Sequence, residues 1–269
     1  MIAPYVLFLV HPETQELFKN EVALKLPDLK ISFNRPGILT YKGNVTSEKI
    51  IAAQLIFAQH CALSFPKDIA PPDTQTYVNE KMTFYIKPIK RRFSFDFGTT
   101  SKHELPIAAP STAYLKIAEA FTRFGFQIKK TDKILELGSA PGGASYFLLE
   151  NAAKVWGVDP GEMDRAILEN ENFEFLHKSV QVLRDDDFPE DIDYLICDIN
   201  LFAPDIVGFL RPLFKRWPPI IFFTVKWTHD MNFAMVDKMK RSFYNLGARD
   251  VHALQLYANK KEFLLYVSF

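Results

Sequence analysis

Cysteine is scarce in this chain of 269 residues, which contains only Cys61 and Cys197. The two are far apart in the sequence, and neither belongs to a Cys-x-x-Cys pair or to a cluster of cysteine and histidine. This pattern excludes a disulfide-rich scaffold and a structural zinc site, so we expect no metal centre. Two isolated cysteines fit a reduced, cytoplasmic setting.

An excess of charge is also missing, because 32 Lys and Arg residues balance 32 Asp and Glu residues. Any nucleic-acid partner would therefore need a local basic surface. No apolar run approaches the ~20 residues of a membrane span, and we expect no membrane association. The apolar start, residues 1–10, lacks a basic flank and contains Pro4. It is predicted to be a buried strand and not a signal peptide.

The pattern of elements changes near residue 105 and predicts two domains, residues 1–104 and 105–269. The first shows a strand, a helix, two strands and a helix over 47–57, with a further strand at 82–86. This order predicts a small α+β, ferredoxin-like domain. His60 is expected to pack on an apolar helix over 50–62. The densest basic stretch, residues 87–93, is either a phosphate-binding surface or a solvated face.

The second domain alternates apolar strands with helices after a helix predicted at 112–124. Strands are predicted at 134–137, 154–158, 173–176, 192–196 and 220–225, and a final hairpin at 251–257 and 263–269. Such alternation indicates a mostly parallel sheet covered on both faces. A Rossmann-like α/β sheet that ends in an antiparallel hairpin is typical of a methyltransferase domain that uses S-adenosylmethionine (AdoMet).

A glycine-rich loop follows the first strand of this domain, with the spacing Gly-x-x-x-Gly-Gly. The spacing differs from the dinucleotide fingerprint and from the P-loop. Glu136, just before the loop, is expected to hold the AdoMet ammonium, and Asp159, which ends the next strand, to bind the ribose. The loop itself supplies six further predicted cofactor contacts: Gly138, Ser139, Ala140, Pro141, Gly142 and Gly143.

Three segments carry a resemblance to a known family. The loop segment LELGSAPGGAS, residues 135–145, resembles the first motif of FtsJ-type (RrmJ-like) ribose 2′-O-methyltransferases. The segments GVDPGEM at 157–163 and LQLY at 254–257 are similar to the bacterial large-subunit ribosomal RNA methyltransferase M family, which methylates a cytidine ribose in 23S RNA. The resemblance covers about residues 108–269. It implies AdoMet-dependent methylation of a ribose 2′-hydroxyl in ribosomal RNA, with the first domain helping to dock RNA.

The FtsJ-type pattern also implies a catalytic tetrad, with a matching residue in each expected element. Lys226 would be the base or would orient the hydroxyl, and Asp198, also near the cofactor, would be its partner. Glu262 would orient Lys226 and the ribose, whereas Lys116 would bind phosphate or tune Lys226.

The adenine-binding residue stays open at this point. Where many FtsJ-type enzymes place an acid, this chain has His177, Lys178 and Ser179. Adenine would be contacted by Ser179, by backbone, or by the acidic run at 185–187, which is otherwise a solvated loop. The last candidates are three side chains that would stack on a flipped base or simply pack at the rim: Phe202, Trp227 and His229.

Two other functions fit the same fold. One is a catalytically silent RNA-binding or ribosome-assembly factor, and the other is a methyltransferase for small molecules. The complete tetrad favours the ribose methyltransferase, because a silent relative would be free to lose Lys226 or Asp198.

Overall fold

The structure is a computed structural model that describes residues 1–80, 82–151, 154–199 and 203–269. The chain divides into two compact units, Met1–Ser101 and Lys102–Phe269. This division lies three residues before the predicted one at 104/105. The two units are described separately.

The first unit contains six strands and two helices. In chain order they are β1 (Ala3–Val10), α1 (Gln15–Lys25), β2 (Lys30–Arg35), β3 (Ile38–Val45), α2 (Ser47–Ala52), β4 (Ala58–Phe65), β5 (Gln75–Asn79) and β6 (Met82–Pro88). The sheet order is β2-β3-β1-β4-β6-β5, and all paired strands are antiparallel.

The first four strands and two helices have the predicted ferredoxin-like order, but the fourth strand is β4 and was not predicted. The strand predicted at 82–86 is β6, which extends that sheet as a hairpin with β5. Helix α1 packs through Phe18, which meets Phe8 edge to face at 4.9 Å between ring centroids. Tyr41 closes this cluster with the same edge-to-face geometry. Such pairs stabilise a core beyond the apolar area that they bury.

The prediction of a helix through His60 was wrong. Helix α2 begins after the cap Thr46, whose hydroxyl accepts a hydrogen bond from Lys49 N, and it ends at Ala52. His60 lies in β4, where every residue is buried, and its Nε2 is 2.9 Å from the Thr99 carbonyl oxygen. A strand buried on both faces is as uniformly apolar as a buried helix, so periodicity could not separate the two.

Most of the basic stretch at 87–93 is engaged within the first unit. The Arg91 guanidinium donates to the carbonyls of Leu55, Ala58 and Gln59. Lys87 pairs with Asp73, and Lys90 Nζ is 2.8 Å from Asp96 Oδ1. Arg91 therefore binds the backbone at the start of β4, and most charges of this stretch stabilise the first unit itself.

The second unit begins with α3 (Ala113–Phe124), and strands and helices then alternate. In chain order they are β7 (Lys133–Leu137), α4 (Gly143–Glu150), β8 (Lys154–Val158), α5 (Arg165–Leu168), β9 (Phe173–Leu176), β10 (Tyr194–Cys197), α6 (Ala203–Leu210), β11 (Ile220–Lys226), α7 (Phe233–Asn245), β12 (Asp250–Leu254) and β13 (Glu262–Ser268).

Seven strands form one sheet in the order β12-β13-β11-β10-β7-β8-β9. The pairs among β11, β10, β7, β8 and β9 are parallel, and β13 is antiparallel to both β11 and β12. This is the predicted Rossmann-like sheet with its terminal hairpin. The strand order reverses between β7 and β10, and open α/β sheets bind ligands at such a point, outside the carboxyl ends of the strands.

Several segments differ from the prediction in the second unit. The strand predicted at 192–196 begins two residues later, as β10, and the short helix α5 was not predicted. A short 3-10 helix, Val180–Val182, follows β9, and the hairpin strand β12 ends at Leu254, three residues early. The freed residues 255–261 form a hydrogen-bonded turn before β13. Among the residues that the structure describes, no helix is both long and apolar enough to cross a bilayer.

Candidate active site

The glycine loop lies at the carboxyl end of β7, beside β8 and β10. Gly138 has a φ of +82°, and its N–H donates to the Val158 carbonyl at 2.9 Å. A side chain at Gly138 would overlap the backbone carbonyl of Asp198. Glycine is needed here because only a residue without a Cβ allows this backbone conformation and this close approach.

A crevice of about 460 Å³ opens above this loop. Five of the predicted cofactor contacts line it: Gly138, Ala140, Asp159, Ser179 and Asp198. Lys116 and Lys226 also line the crevice. The ends of four strands and the start of α3 therefore meet at one cavity, and the roles predicted for these residues stay predictions.

Asp159 is fixed by backbone donors at the end of β8. Its Oδ1 accepts from Gly161 N at 2.7 Å, and its Oδ2 accepts from Ala140 N at 3.2 Å. A carboxylate oxygen has more than one acceptor site. Asp159 can therefore keep these bonds and still accept from ligand hydroxyls in the crevice.

Glu136 is placed differently from its predicted role. Glu136 is 2% exposed, and its carboxylate accepts from Ser145 Oγ at 2.6 Å. The residue lines a small cavity together with Lys116 and Thr224. Burial raises the pKa of Glu136 to about 8, and the charges of Asp198 and Asp159 add to this rise. The predicted contact with an ammonium group stays a prediction.

The four predicted catalytic residues come together at one end of the crevice. Lys116 Nζ lies 3.0 Å from Asp198 Oδ2 and 2.5 Å from Glu262 Oε1. Lys226 Nζ lies 3.7 Å from Asp198 Oδ1. The register of β11 and β13 places Lys226 directly opposite Glu262.

Electrostatics within this cluster favour a charged Lys116. Burial alone lowers the pKa of Lys116, but the carboxylates of Asp198 and Glu262 more than offset burial, and the pKa is raised above its ordinary value. Lys116 is thus an ammonium that holds two carboxylates in place. Lys226 is the more exposed lysine, with 38% of its side chain accessible against 14% for Lys116.

Other predicted loop residues pack against neighbouring elements and do not line the crevice. Ser139 is buried and faces Gly157, and Gly142 packs against Met163. Gly143 lies so close to Ser111 that a side chain there would overlap its carbonyl and hydroxyl oxygens. Pro141, which follows a cis peptide bond, completes the loop. None of these four is among the residues lining the described crevice.

The acidic run and the aromatic candidates have other partners. Asp187 pairs with Lys178 at 2.6 Å and accepts from Arg184 N, and Asp185 lines a separate surface cavity. Trp227 packs on Phe233, and His229 is exposed beside Asp230. Phe202 lies outside the described residues.

Sequence reasoning missed several residues that line the crevice, namely Ser111, Thr112, Ala113, Pro160, Val180, Gln181 and Ile199. The start of α3 was recognisable, but its approach to Gly143 is a contact between residues distant in sequence. Pro160 and Ile199 each follow a predicted strand-end acid, so their position was a usable signal.

Comparisons with known proteins agree with this geometry. The model of the family described as FtsJ-like methyltransferase matches residues 109–211, which include the glycine loop, Lys116, Asp159 and Asp198. This part of the chain is thus similar to FtsJ-like methyltransferases. Lys226 and Glu262 lie beyond the matched residues.

Two curated relatives, both named Ribosomal RNA large subunit methyltransferase M, resemble the chain. The protein from Laribacter hongkongensis is 36% identical over 105 residues, which cover 35% of this chain and 28% of the relative. The protein from Halorhodospira halophila is 28% identical over 166 residues, which cover 60% of this chain and 48% of the relative. The chain thus spans less than half the length of either relative.

A solved structure from Lactococcus lactis, provisionally named a hemolysin, has the same fold. It aligns with a TM-score of 0.51 and 18% identity, covering 61% of this chain and 89% of that chain. At this identity the likeness shows the fold alone.

S-adenosylmethionine is the cofactor that the sequence predicts, and the residues present fit it. Asp198 Oδ1 is buried at the crevice and has no hydrogen-bond partner among the described residues. Asp159 and Asp198 supply negative charge, which suits a ligand that carries an ammonium and a sulfonium. Gly138 leaves the backbone open to a ligand, and Asp159 can receive ribose hydroxyls.

Proposed function

We propose that this protein methylates a ribose 2′-hydroxyl in RNA, with large-subunit ribosomal RNA, at a cytidine, as its substrate. The observation that carries the proposal is the convergence of Lys116, Asp198, Lys226 and Glu262 at the end of a crevice floored by the glycine loop. The names of the curated relatives support ribosomal RNA as the substrate.

The residues in this cluster divide the work on a hydroxyl nucleophile. AdoMet, when bound, supplies an electrophilic methyl group on a sulfonium. Lys226 lines the crevice, is the more exposed lysine, and accepts the hydroxyl proton at Nζ in its neutral form or orients the hydroxyl oxygen. Asp198 holds Lys226 from one side, which fixes the direction of the proton acceptor.

Lys116 and Glu262 complete the arrangement. Lys116 neutralises the two carboxylates, which would otherwise repel each other at this short range. Glu262 faces Lys226 across the strand pair and is placed to accept a hydrogen bond from a ribose hydroxyl. The tetrad thus positions a sugar oxygen next to the cofactor crevice.

The first unit supplies a basic edge for docking RNA in this proposal. Lys30 on β2 and Lys42 on β3 are directly opposite each other, and both side chains are exposed. Like charges in direct cross-strand pairs are destabilising, and a bound phosphate would relieve the repulsion. This edge is a better candidate than the basic stretch at 87–93, where Lys87, Lys90 and Arg91 have partners within the unit.

Tritiated AdoMet incubated with unmodified ribosomal RNA tests the proposal. We expect label in RNA, and 2′-O-methyl mapping should place it at one cytidine ribose. Binding of AdoMet and RNA without transfer would support the silent assembly factor instead. Transfer only to small molecules in a cell extract would favour the small-molecule methyltransferase.

A further inference from the structure

The turn between β12 and β13 is held by hydrogen bonds within the turn and from helix α3. Its first residue, Gln255, donates from Nε2 to the Lys260 carbonyl at 2.7 Å. The buried carboxylate of Glu119 on α3 accepts from Tyr257 N at 2.9 and 3.0 Å. The helix that carries Lys116 therefore also holds the turn that precedes Glu262.

Asn259 occupies the centre of this turn and is 1% exposed. Its Oδ1 accepts from Leu256 N at 2.9 Å, and its Nδ2 donates to Glu262 Oε1 at 3.1 Å. The backbone N–H of Leu256 can only donate, so it requires the amide oxygen to face it. The amide nitrogen must then face Glu262, and the orientation of Asn259 is settled by its partners.

The carboxylate oxygen that Asn259 contacts is the one that Lys116 contacts. Glu262 Oε1 receives Asn259 Nδ2 at 3.1 Å and Lys116 Nζ at 2.5 Å. Two donors on one oxygen fix the rotation of the carboxyl group, which leaves Oε2 directed elsewhere. Among the described residues, Asn259 and Lys116 are the side chains that form a hydrogen bond or an ion pair with Glu262.

We propose that Asn259 is a positioning residue, which acts through Glu262 to hold the Lys116–Glu262 pair in its reactive arrangement. This inference rests on the proposed function, because the pair matters only if the tetrad handles a ribose hydroxyl. A donor amide suits this role better than a charged side chain, since it orients the carboxylate without neutralising it.

Two variants separate the hydrogen bond that Asn259 donates to Glu262 from the one that it accepts within the turn. Asn259→Ala removes both bonds, whereas Asn259→Ser leaves a hydroxyl that can accept from Leu256 N but is too short to reach Glu262. With RNA as substrate, each variant should lower kcat about tenfold, the loss expected for one hydrogen bond to a charged group. AdoMet affinity, measured by calorimetry, should stay within about twofold, since Asn259 does not line the crevice.

A readout that needs no activity comes from the ammonium protons of Lys116, observed by NMR in the full chain labelled with ¹⁵N-lysine. Lys116→Arg assigns the signal. Both Asn259 variants should speed the exchange of these protons with water, because Glu262 is held less firmly. In the Glu262→Ala background, Asn259→Ala should add no further change.

The outcomes distinguish the two proposals. Two results would overturn the positioning role. In one, Asn259→Ala speeds the exchange of the Lys116 protons equally in the wild-type and Glu262→Ala proteins. In the other, neither Asn259 variant changes that exchange. If wild-type protein transfers no methyl group to RNA while the exchange results hold, the proposed function fails and the contact from Asn259 to Glu262 stands.

Discussion

Lys226 and Glu262 are cross-strand neighbours on β11 and β13, yet Glu262 forms an ion pair with Lys116 on α3. Direct opposition in an antiparallel pair places two side chains on the same face of the sheet, about 5 Å apart at Cβ. Glu262 thus lies next to two lysines, the more buried Lys116 and the more exposed Lys226. The two lysines have different environments and, we infer, different roles.

Replacing Lys226 with alanine should greatly slow methyl transfer while leaving the cofactor site intact. Lys226 contacts Asp198 at 3.7 Å and is not part of the loop that floors the crevice. We expect kcat to fall by about 10²–10⁴-fold, the range for removing a general base, and AdoMet affinity to change less than about threefold. Tritium incorporation and calorimetry measure the two quantities.

Lys215→Ala is the matched control for Lys226→Ala, because this exposed lysine pairs with Glu190 and does not line the crevice. It should leave kcat unchanged. Turnover retained in Lys226→Ala would remove Lys226 from the base assignment.

Replacing Lys116 with methionine should destabilise the second unit as well as the reaction. The change leaves Asp198 and Glu262 as neighbouring carboxylates without their shared cation. Breaking a buried charge cluster in this way should lower the free energy of unfolding by about 2–4 kcal/mol. All three tryptophans, Trp156, Trp217 and Trp227, lie in the second unit, so urea denaturation followed by tryptophan fluorescence reports on it alone.

Lys133→Met provides the comparison for Lys116→Met. Lys133 pairs with Asp191 at 2.6 Å, but both side chains are substantially exposed. An exposed ion pair contributes little to stability, because water and salt screen it, so Lys133→Met should cost much less than Lys116→Met. Equal losses in the two variants would show that the Lys116 cluster is no more stabilising than a surface pair.

The sequence predicted most of the second unit because its strands are apolar runs that end in acids or glycine. The strands at 154–158 and 173–176 were predicted to the residue, and Asp198 and Lys226 were placed at strand ends over one crevice. Parallel-sheet geometry alone brings such strand ends together, so these assignments needed no knowledge of side-chain packing.

What the sequence could not predict depends on contacts between distant residues. Ser111 meets Gly143 across 32 positions, and Glu119 meets Tyr257 across 138 positions. The strand through His60 was mistaken for a helix because burial on both faces removes the alternation that identifies a strand. Glu136 has a strand-end position, but only packing shows that it is buried.

Replacing Gly138 with alanine should impair the cofactor site. The backbone there has a φ of +82°, and an added Cβ would overlap the Asp198 carbonyl. Both effects force the loop or β10 to move, so we expect AdoMet affinity to fall at least about tenfold and the unit to lose a few kcal/mol of stability. Gly208→Ala is the control, because, apart from the local helix backbone, no atom of the described residues lies within 4 Å of its added Cβ and alanine favours helix α6. Near-normal AdoMet affinity in Gly138→Ala would show that the loop can move without loss.

Glu136→Gln should make the stability of the second unit less sensitive to a rise in pH from 4.5 to about 8. Burial raises the pKa of Glu136 to about 8 in the folded protein, above the ordinary 4.5 of an unfolded glutamate. The protonated group therefore stabilises the fold below pH 4.5, and this contribution is lost as the pH rises towards 8. Wild-type stability should fall across this window by up to about 1.4 kcal/mol per pH unit relative to the variant. Parallel pH profiles of the two proteins in urea would refute buried protonation.

Replacing Lys30 and Lys42 together with glutamine should weaken RNA binding without weakening the fold. The two exposed lysines repel each other across β2 and β3, so the double variant should be as stable as wild type or slightly more stable. If both contact phosphates, RNA affinity should fall, and the slope of log affinity against log salt should become shallower by about one to two. Filter binding over a range of salt concentrations measures both. Lys19→Gln is the matched control, because Lys19 Nζ is bound to Glu16 at 2.7 Å. An unchanged salt slope in the double variant would move the RNA-docking surface away from this edge, whatever the fate of the catalytic cluster.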